Sequence, residues 1–116
     1  MGQQTLNRKV FHAGQLVFEE GEAGNRAYLV QKGAIDIVQK QGDAENLVRR
    51  VQPGEIFGAM SAIDDQPRIA SARAVEETVC VIIPKPVFEE KIAASDPFVA
   101  ALLRWFVAQS RGRAMH

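Results

Sequence analysis

Glycine-bearing turns cut most of this chain into apolar runs too short for helices. Val10-Phe11 leads into an Ala13-Gly14 turn, and Leu16-Val17-Phe18 follows. Glu19 to Asn25 is a polar loop holding Gly21 and Gly24, where a left-handed backbone costs little. Next come Ala27-Tyr28-Leu29-Val30, a break at Lys32-Gly33, and Ala34 to Val38. In that last run Ile35 and Ile37 share one face while Asp36 points to the other. Gln41-Gly42-Asp43 turns the chain before Leu47 to Val51, which Pro53-Gly54 stops. A further strand pair fits Ser71 to Val75 and Thr78 to Ile83, joined by Glu76-Glu77. Short strands with turns at about every eight to twelve residues predict an antiparallel sandwich or jelly roll, not a parallel sheet.

The period changes after Pro84 and Pro86, where Val87 to Ala94 reads as a short helix. Ser95-Asp96-Pro97 supplies a cap and a first-turn proline for another. From Phe98 to Ala108 the only charge is Arg104; Phe98, Leu102, Trp105 and Phe106 form one apolar face, and Val99, Leu103 and Val107 a second. A helix apolar on nearly all sides cannot face water. It is expected both to pack deeply on the sandwich and to pair with a second copy, as a symmetric homodimer through residues 98–108.

A chain of 116 residues is the size of one domain. The reading is a single domain over 1–116, with a roll over about 9–84 and C-terminal helices over about 85–112. Fourteen Lys and Arg balance fourteen Asp and Glu, so non-specific nucleic-acid binding and polybasic membrane anchoring both lose their driving force. The single cysteine, Cys80, excludes an internal disulfide, and its apolar setting predicts a buried, reduced thiol. With only His12 and His116, a histidine metal site or histidine acid–base catalysis has almost no candidates, so neither an enzyme nor a metal site is expected. No stretch has the apolar length of a membrane span, and Met1 to Leu6 lacks the basic and apolar regions of a signal peptide. Leu6 also stands where a myristoylation motif requires Ser or Thr, so a cytoplasmic location is expected.

The chemistry-bearing stretch runs from Pro53 to Ala74. A strand ends at Phe57, Gly58 allows a sharp turn, and Ala59 to Ile63 fits one helical turn with free backbone N–H groups. Asp64-Asp65-Gln66-Pro67 brings the chain back, so that Arg68 arrives beside the helix start with a planar fork suited to a phosphate.

These residues resemble the phosphate-binding cassette of cyclic nucleotide-binding domains, as in catabolite activator proteins, cyclic-nucleotide-gated channels and protein kinase A regulatory subunits. Phe57-Gly58, the Pro67-Arg68 pair, Ala70 and Ser71 match the family pattern in order. Upstream, Ala13-Gly14-Gln15, Phe18 to Glu22, Tyr28 to Val30 and Gly33 to Ile37 look like the family's early strands. The resemblance covers the chain from about residue 9 to the end of the last helix. It implies an eight-stranded jelly roll (a double-stranded β-helix) with flanking helices, mainly β, carrying a short cassette helix and two C-terminal helices.

By the same resemblance the ligand is cAMP or cGMP, and no other cofactor is implied. Arg68 pairs with the exocyclic phosphate, and Gly58, Ala59, Met60, Ser61, Ile69 and Ala70 complete the cradle. Asp36 and Ser71 stand behind it, Asp36 orienting the arginine. Arg49 and Val51 lie on the strand that passes the purine, and Trp105 closes over the base. Two positions depart from the pattern. Ala59 replaces the glutamate that accepts the ribose 2′-hydroxyl, a loss of about 1.5–3 kcal/mol. Ile69 replaces a small, usually hydroxylated residue.

Plainer readings stand beside these. Arg68 also fits an ion pair with Asp36, Gly58 a simple turn glycine, Asp36 a solvated strand residue, Trp105 core or dimer packing, and Asp64-Asp65 a solvated turn. The leading function is a non-enzymatic, stand-alone bacterial-type regulatory domain that binds cAMP or cGMP and signals to an unknown protein effector through its last helix. The alternative is a degenerate fold serving as a dimerisation or interaction scaffold without nucleotide. A metal-dependent jelly-roll enzyme lacks the clustered ligands it needs. If the chain is complete, with no DNA-reading module after the last helix, it is expected to act through a partner.

Overall fold

Gly33 and Gly42, both in left-handed backbone, make the reversals on which the two sheets are hung. The computed structural model describes residues 6–114, so the N-terminal stretch read for targeting signals lies largely outside the described residues, as does His116. The strands are β1 (Arg8–Phe11), β2 (Leu16–Phe18), β3 (Arg26–Lys32), β4 (Ile35–Gln41), β5 (Ala44–Val51), β6 (Ile56–Phe57), β7 (Ser71–Ala74) and β8 (Thr78–Pro84). They form two four-stranded antiparallel sheets in the orders β1-β8-β3-β6 and β2-β7-β4-β5. This is the expected jelly roll.

One expectation about it fails. β7 and β8 do not pair with each other, because β7 fits between β2 and β4 while β8 fits between β1 and β3. Glu76-Glu77 is therefore a crossing between sheets and not a hairpin turn. β5 also begins earlier than its apolar run suggests. Gln41 and Ala44 are opposed in register, so Gly42-Asp43 is a two-residue hairpin turn and the polar Ala44-Glu45-Asn46 extends the strand.

Alternation places Phe11, Phe18, Tyr28, Val30, Ile35, Val51, Phe57 and Cys80 in one core between the sheets. Tyr28 and Phe57 are opposed in register and stack with centroids 5.1 Å apart. At the far end of β3, Gly33 lies against the crossing, where a Cβ would meet Thr78 Oγ1 at 2.4 Å. Thr78 is fully buried; its hydroxyl accepts the Ala34 N–H at 3.2 Å and faces the Ala34 and Glu76 carbonyls at 3.0 and 2.8 Å. That hydroxyl staples the β3–β4 turn to the β7–β8 crossing.

Three helices complete the chain: α1 (Ala59–Asp64), α2 (Lys85–Ala94) and α3 (Pro97–Ala114). Asp96 Oδ1 accepts the Phe98 N–H at 2.8 Å, so the cap read from sequence starts α3. Lys85 Nζ donates to the Ala62 carbonyl at 3.1 Å and ties α2 to the end of α1. Deep packing of α3 is not observed. Of its large apolar residues only Val107 is buried, beside Ala100, while Phe98, Val99, Leu102, Leu103, Trp105 and Phe106 stay exposed. The helix leans chiefly on α1 and α2, which are too short to cover more than one stripe of it. Among the described residues no helix is long and apolar enough to cross a membrane.

Candidate functional site

Strand β6 ends at Phe57, and Gly58 turns the chain into α1 with φ of 77°. A Cβ at this position would meet Arg68 Nη1 at 2.9 Å and the Arg26 carbonyl at 3.2 Å. The glycine is therefore both a turn residue and a point of close approach. Ala59, Met60 and Ser61 form the first turn of α1, and Asp65, also left-handed at φ 61°, ends it. The chain then runs through Gln66-Pro67 to Arg68.

Arg68 is 6% exposed. Its Nη1 donates to the Gly58 carbonyl and its Nη2 to the Arg26 carbonyl, each at 2.9 Å, and the guanidinium lies 4.0 Å over the Phe18 ring. Its Nε is buried without a partner. The backbone is held as well: Arg68 N–H donates to the Glu22 carbonyl at 2.9 Å, and Gly21 N–H donates to the Arg68 carbonyl at 2.8 Å. The glycine-bearing 19–25 loop thus serves as a seat for the arginine. Gly24 completes it, because a Cβ there would fall 2.2 Å from Arg68 Nε. Burial pushes the Arg68 pKa below its ordinary value; Tyr28 and Glu22 oppose that shift and the charge of Arg111 adds to it. Among the described residues Arg68 has no carboxylate partner, so a buried cation is held by neutral carbonyls and an aromatic face.

This cation forms part of the wall of a cavity of about 580 Å³ between the roll, α1 and the end of α3. Ile37, Val48, Ile56 and Met60 give it an apolar side. Arg49 and Arg111 also line it, and among the described residues no Asp or Glu does. Gly58, Ala59, Met60, Ser61, Arg68, Ile69 and Ala70, the phosphate set read from sequence, all lie on its wall. Gln39 Nε2 donates to the Ile69 carbonyl at 2.9 Å and fixes the backbone there. Ser71 is buried and its Oγ accepts the Glu20 N–H at 2.9 Å, which anchors the loop that seats Arg68.

Other expected residues fall elsewhere. Asp36 does not orient Arg68; it accepts from Arg50, with Nε to Oδ1 at 2.7 Å and Nη2 to Oδ2 at 3.0 Å. The reason is alternation: Ile37 lines the cavity, so its neighbour Asp36 points to the opposite face, where Arg50 is its register partner. Arg49 does reach the cavity and donates Nη2 to the Ile56 carbonyl at 3.0 Å. Val51 does not; it is fully buried opposite Ile35. Trp105 is 54% exposed, edge-on to Phe106, and lies about 200° round the helix from the buried Val107. It does not line the cavity.

The part of α3 that does reach the cavity is Ser110 and Arg111, which the sequence reading passed over as chain end. The available signal was spacing: Arg111 follows the buried Val107 by four residues, on the same helix face. Asp64, read as a solvated turn residue, is half-buried and accepts from the Arg111 guanidinium. That pairing is not visible in the local pattern.

Residues 8–95 match the family described as cyclic nucleotide-binding domain. A CRP-like cAMP-activated global transcriptional regulator of Mycobacterium tuberculosis is 34% identical over 95 residues, which is 81% of this chain and 42% of the regulator. The cAMP-bound form of the EAL enzyme Bd1971 superposes with a TM-score of 0.88 at 33% identity, over 94% of this chain and 29% of that one. The catabolite activator protein of Thermus thermophilus gives 0.77 at 31% identity, over 94% of this chain and 51% of its own. This chain thus spans under half of the curated regulator and about half of the activator protein.

Proposed function

The chain belongs to the cyclic nucleotide-binding domain family, and we propose that its cavity takes up cAMP or cGMP and that occupancy is passed to a protein partner through α3. The observation that carries this reading is Arg68, buried at the cavity wall with no carboxylate among the described residues to neutralise it. A buried guanidinium held by carbonyls alone has charge to spare for a phosphate, and binding one breaks no internal ion pair. The apolar side of the cavity, with Ile37, Val48, Ile56 and Met60, suits a purine face.

In this reading the domain is regulatory and not catalytic, and it acts in the cytoplasm. The balanced charge supports a protein, not nucleic acid, as the direct partner of this stretch. The mechanism is a population shift, in which the ligand favours one position of α3 over another.

Calorimetric titration with cAMP and cGMP, with Arg68→Glu as control, tests the reading. Micromolar uptake that disappears in a folded Arg68→Glu variant is expected. No heat and no thermal stabilisation at millimolar nucleotide would sink it, since a ligand far above its Kd must stabilise the folded state.

A second reading is favoured by two observations. Ala59 takes the place of the cassette glutamate, and the exposed apolar face of α3 offers an association surface. A scaffold that associates through α3 without nucleotide would keep its association in Arg68→Glu and show no ligand effect to lose.

A further inference from the structure

Among the described residues, Arg111 is the α3 side chain that hydrogen-bonds to the turn leading into Arg68. The Arg111 guanidinium donates Nη2 to Asp64 Oδ1 at 2.9 Å and Nε to Asp64 Oδ2. Its Nη1 donates to the Pro67 carbonyl at 2.9 Å, and Nη2 also reaches the Gln66 carbonyl at 3.4 Å and Ser61 Oγ at 3.3 Å. The Arg111 side chain is 14% exposed and borders the cavity.

Every acceptor it uses belongs to α1 or to the two residues immediately before Arg68. The fork therefore grips both ends of the turn from Asp64 to Pro67. The turn holds Asp65 at φ 61° with two bonds of its own, Asp65 N–H to the Ser61 carbonyl at 2.9 Å and Gln66 N–H to Asp64 Oδ1 at 3.1 Å, and the Arg111 fork adds to these. Arg68 is seated from one side by the 19–25 loop through its own N–H and carbonyl. From the other side, the lead-in to Arg68 is set by where Arg111 holds Gln66 and Pro67. A planar guanidinium grips a carboxylate with two N–H groups while others reach separate carbonyls; an ammonium, with three donors and no fork, reproduces only part of this.

We propose that Arg111 is a positioning residue for nucleotide binding, whose brace on Asp64 and on the Gln66 and Pro67 carbonyls holds Arg68 at the cavity and couples the cavity to α3. This rests on the cyclic-nucleotide reading above. Because coupling of binding equilibria is reciprocal, anything that fixes α3 against α1 raises nucleotide affinity, and nucleotide in turn fixes α3.

The test is cAMP titration of wild type, Arg111→Gln, Arg111→Lys, Asp64→Asn and the Asp64→Asn/Arg111→Gln double variant, read by heat and by Trp105 emission in the same samples. Trp105 is the only tryptophan in the chain and lies on α3, so its emission, followed at a protein concentration that keeps the oligomeric state fixed, comes from that helix. Arg111→Gln and Asp64→Asn are each expected to weaken binding about tenfold or more. The double variant should bind no worse than the weaker single one, and Arg111→Lys should recover part of the loss. In wild type the emission change should share its midpoint with the heat; in Arg111→Gln it should be absent even at saturation. If Arg111→Gln fails to fold, Asp64→Asn and Arg111→Lys carry the test. Wild-type affinity in these variants, additive losses in the double variant, or a full emission change in saturated Arg111→Gln would overturn the proposal alone. A wild type that binds neither cAMP nor cGMP overturns the nucleotide reading, and the proposal with it.

Discussion

The backbone of Gly24 lies so close to the Arg68 guanidinium that a Cβ at 24 would stand 2.2 Å from Nε and 2.6 Å from Cζ. Gly24 has an ordinary backbone conformation, so alanine is excluded by the neighbour and not by φ. Gly24→Ala should push the guanidinium off the Gly58 and Arg26 carbonyls while the fold survives. We expect a stability loss of about 1–3 kcal/mol in urea unfolding and loss of nucleotide binding. Unchanged binding would show that the seat is not needed.

Val51 offers the converse. It is fully buried opposite Ile35 and absent from the cavity wall. Val51→Ala should cost about 2 kcal/mol of stability from lost apolar burial and packing, with nucleotide affinity of the folded protein unchanged. Thermal melts and titration on the same preparation check both halves.

Asp36→Asn should leave nucleotide affinity where it is, because its carboxylate serves Arg50 on the outer face of the sheet. A loss of binding comparable with that of Arg68→Glu would return Asp36 to the site.

Cys80 carries a pH prediction. Burial pushes its thiol up from 9.0 to about 11. The folded protein therefore holds the proton in a range where the unfolded chain releases it. Stability from this group is complete below about pH 9, falls between pH 9 and about pH 11, and levels off above; the total is about 2–3 kcal/mol. Cys80→Ala should flatten that part of a stability–pH curve, and a curve that keeps its slope in the variant assigns the effect to other groups.

The exposed side of α3 sets the last expectation. Phe98, Leu102, Trp105 and Phe106, with Val99 and Leu103, present apolar surface of a kind a lone chain rarely leaves to water. A homodimer through this helix should appear in sedimentation, and Phe98→Glu/Phe106→Glu should give a folded monomer. A monomer at high concentration in wild type would remove the dimer from consideration.

What the sequence made legible follows what is local. Gly58, Arg68 and the residues around them could be placed on one cavity because a strand end, a left-handed glycine and a returning arginine are consecutive events along the chain. A cap within Ser95-Asp96-Pro97 and a turn at Gly42 are legible for the same reason. What failed needed distant partners. The resemblance sets Asp36 against Arg68 because the family often carries an acidic residue at this position, and only the β4–β5 register assigns it to Arg50. Trp105 drew attention by its chemistry, while Arg111, forty-three residues after Arg68, held the cassette through backbone carbonyls that carry no sequence signature. The early start of β5 was hidden because its added residues are polar and exposed.

The Thr78 staple has a mechanical consequence. It fastens the Gly33 end of β3 to the crossing between sheets, whereas Arg26, whose carbonyl receives Arg68, stands at the other end of the strand. Six residues of strand, roughly 20 Å, separate the two. One end of the strand is thus tied down by a buried hydroxyl, and the other by its pairing to Pro84 and by Arg68 with the loop that seats it. A change at Arg68 therefore acts on the end where α2 leaves the sheet and spares the crossing.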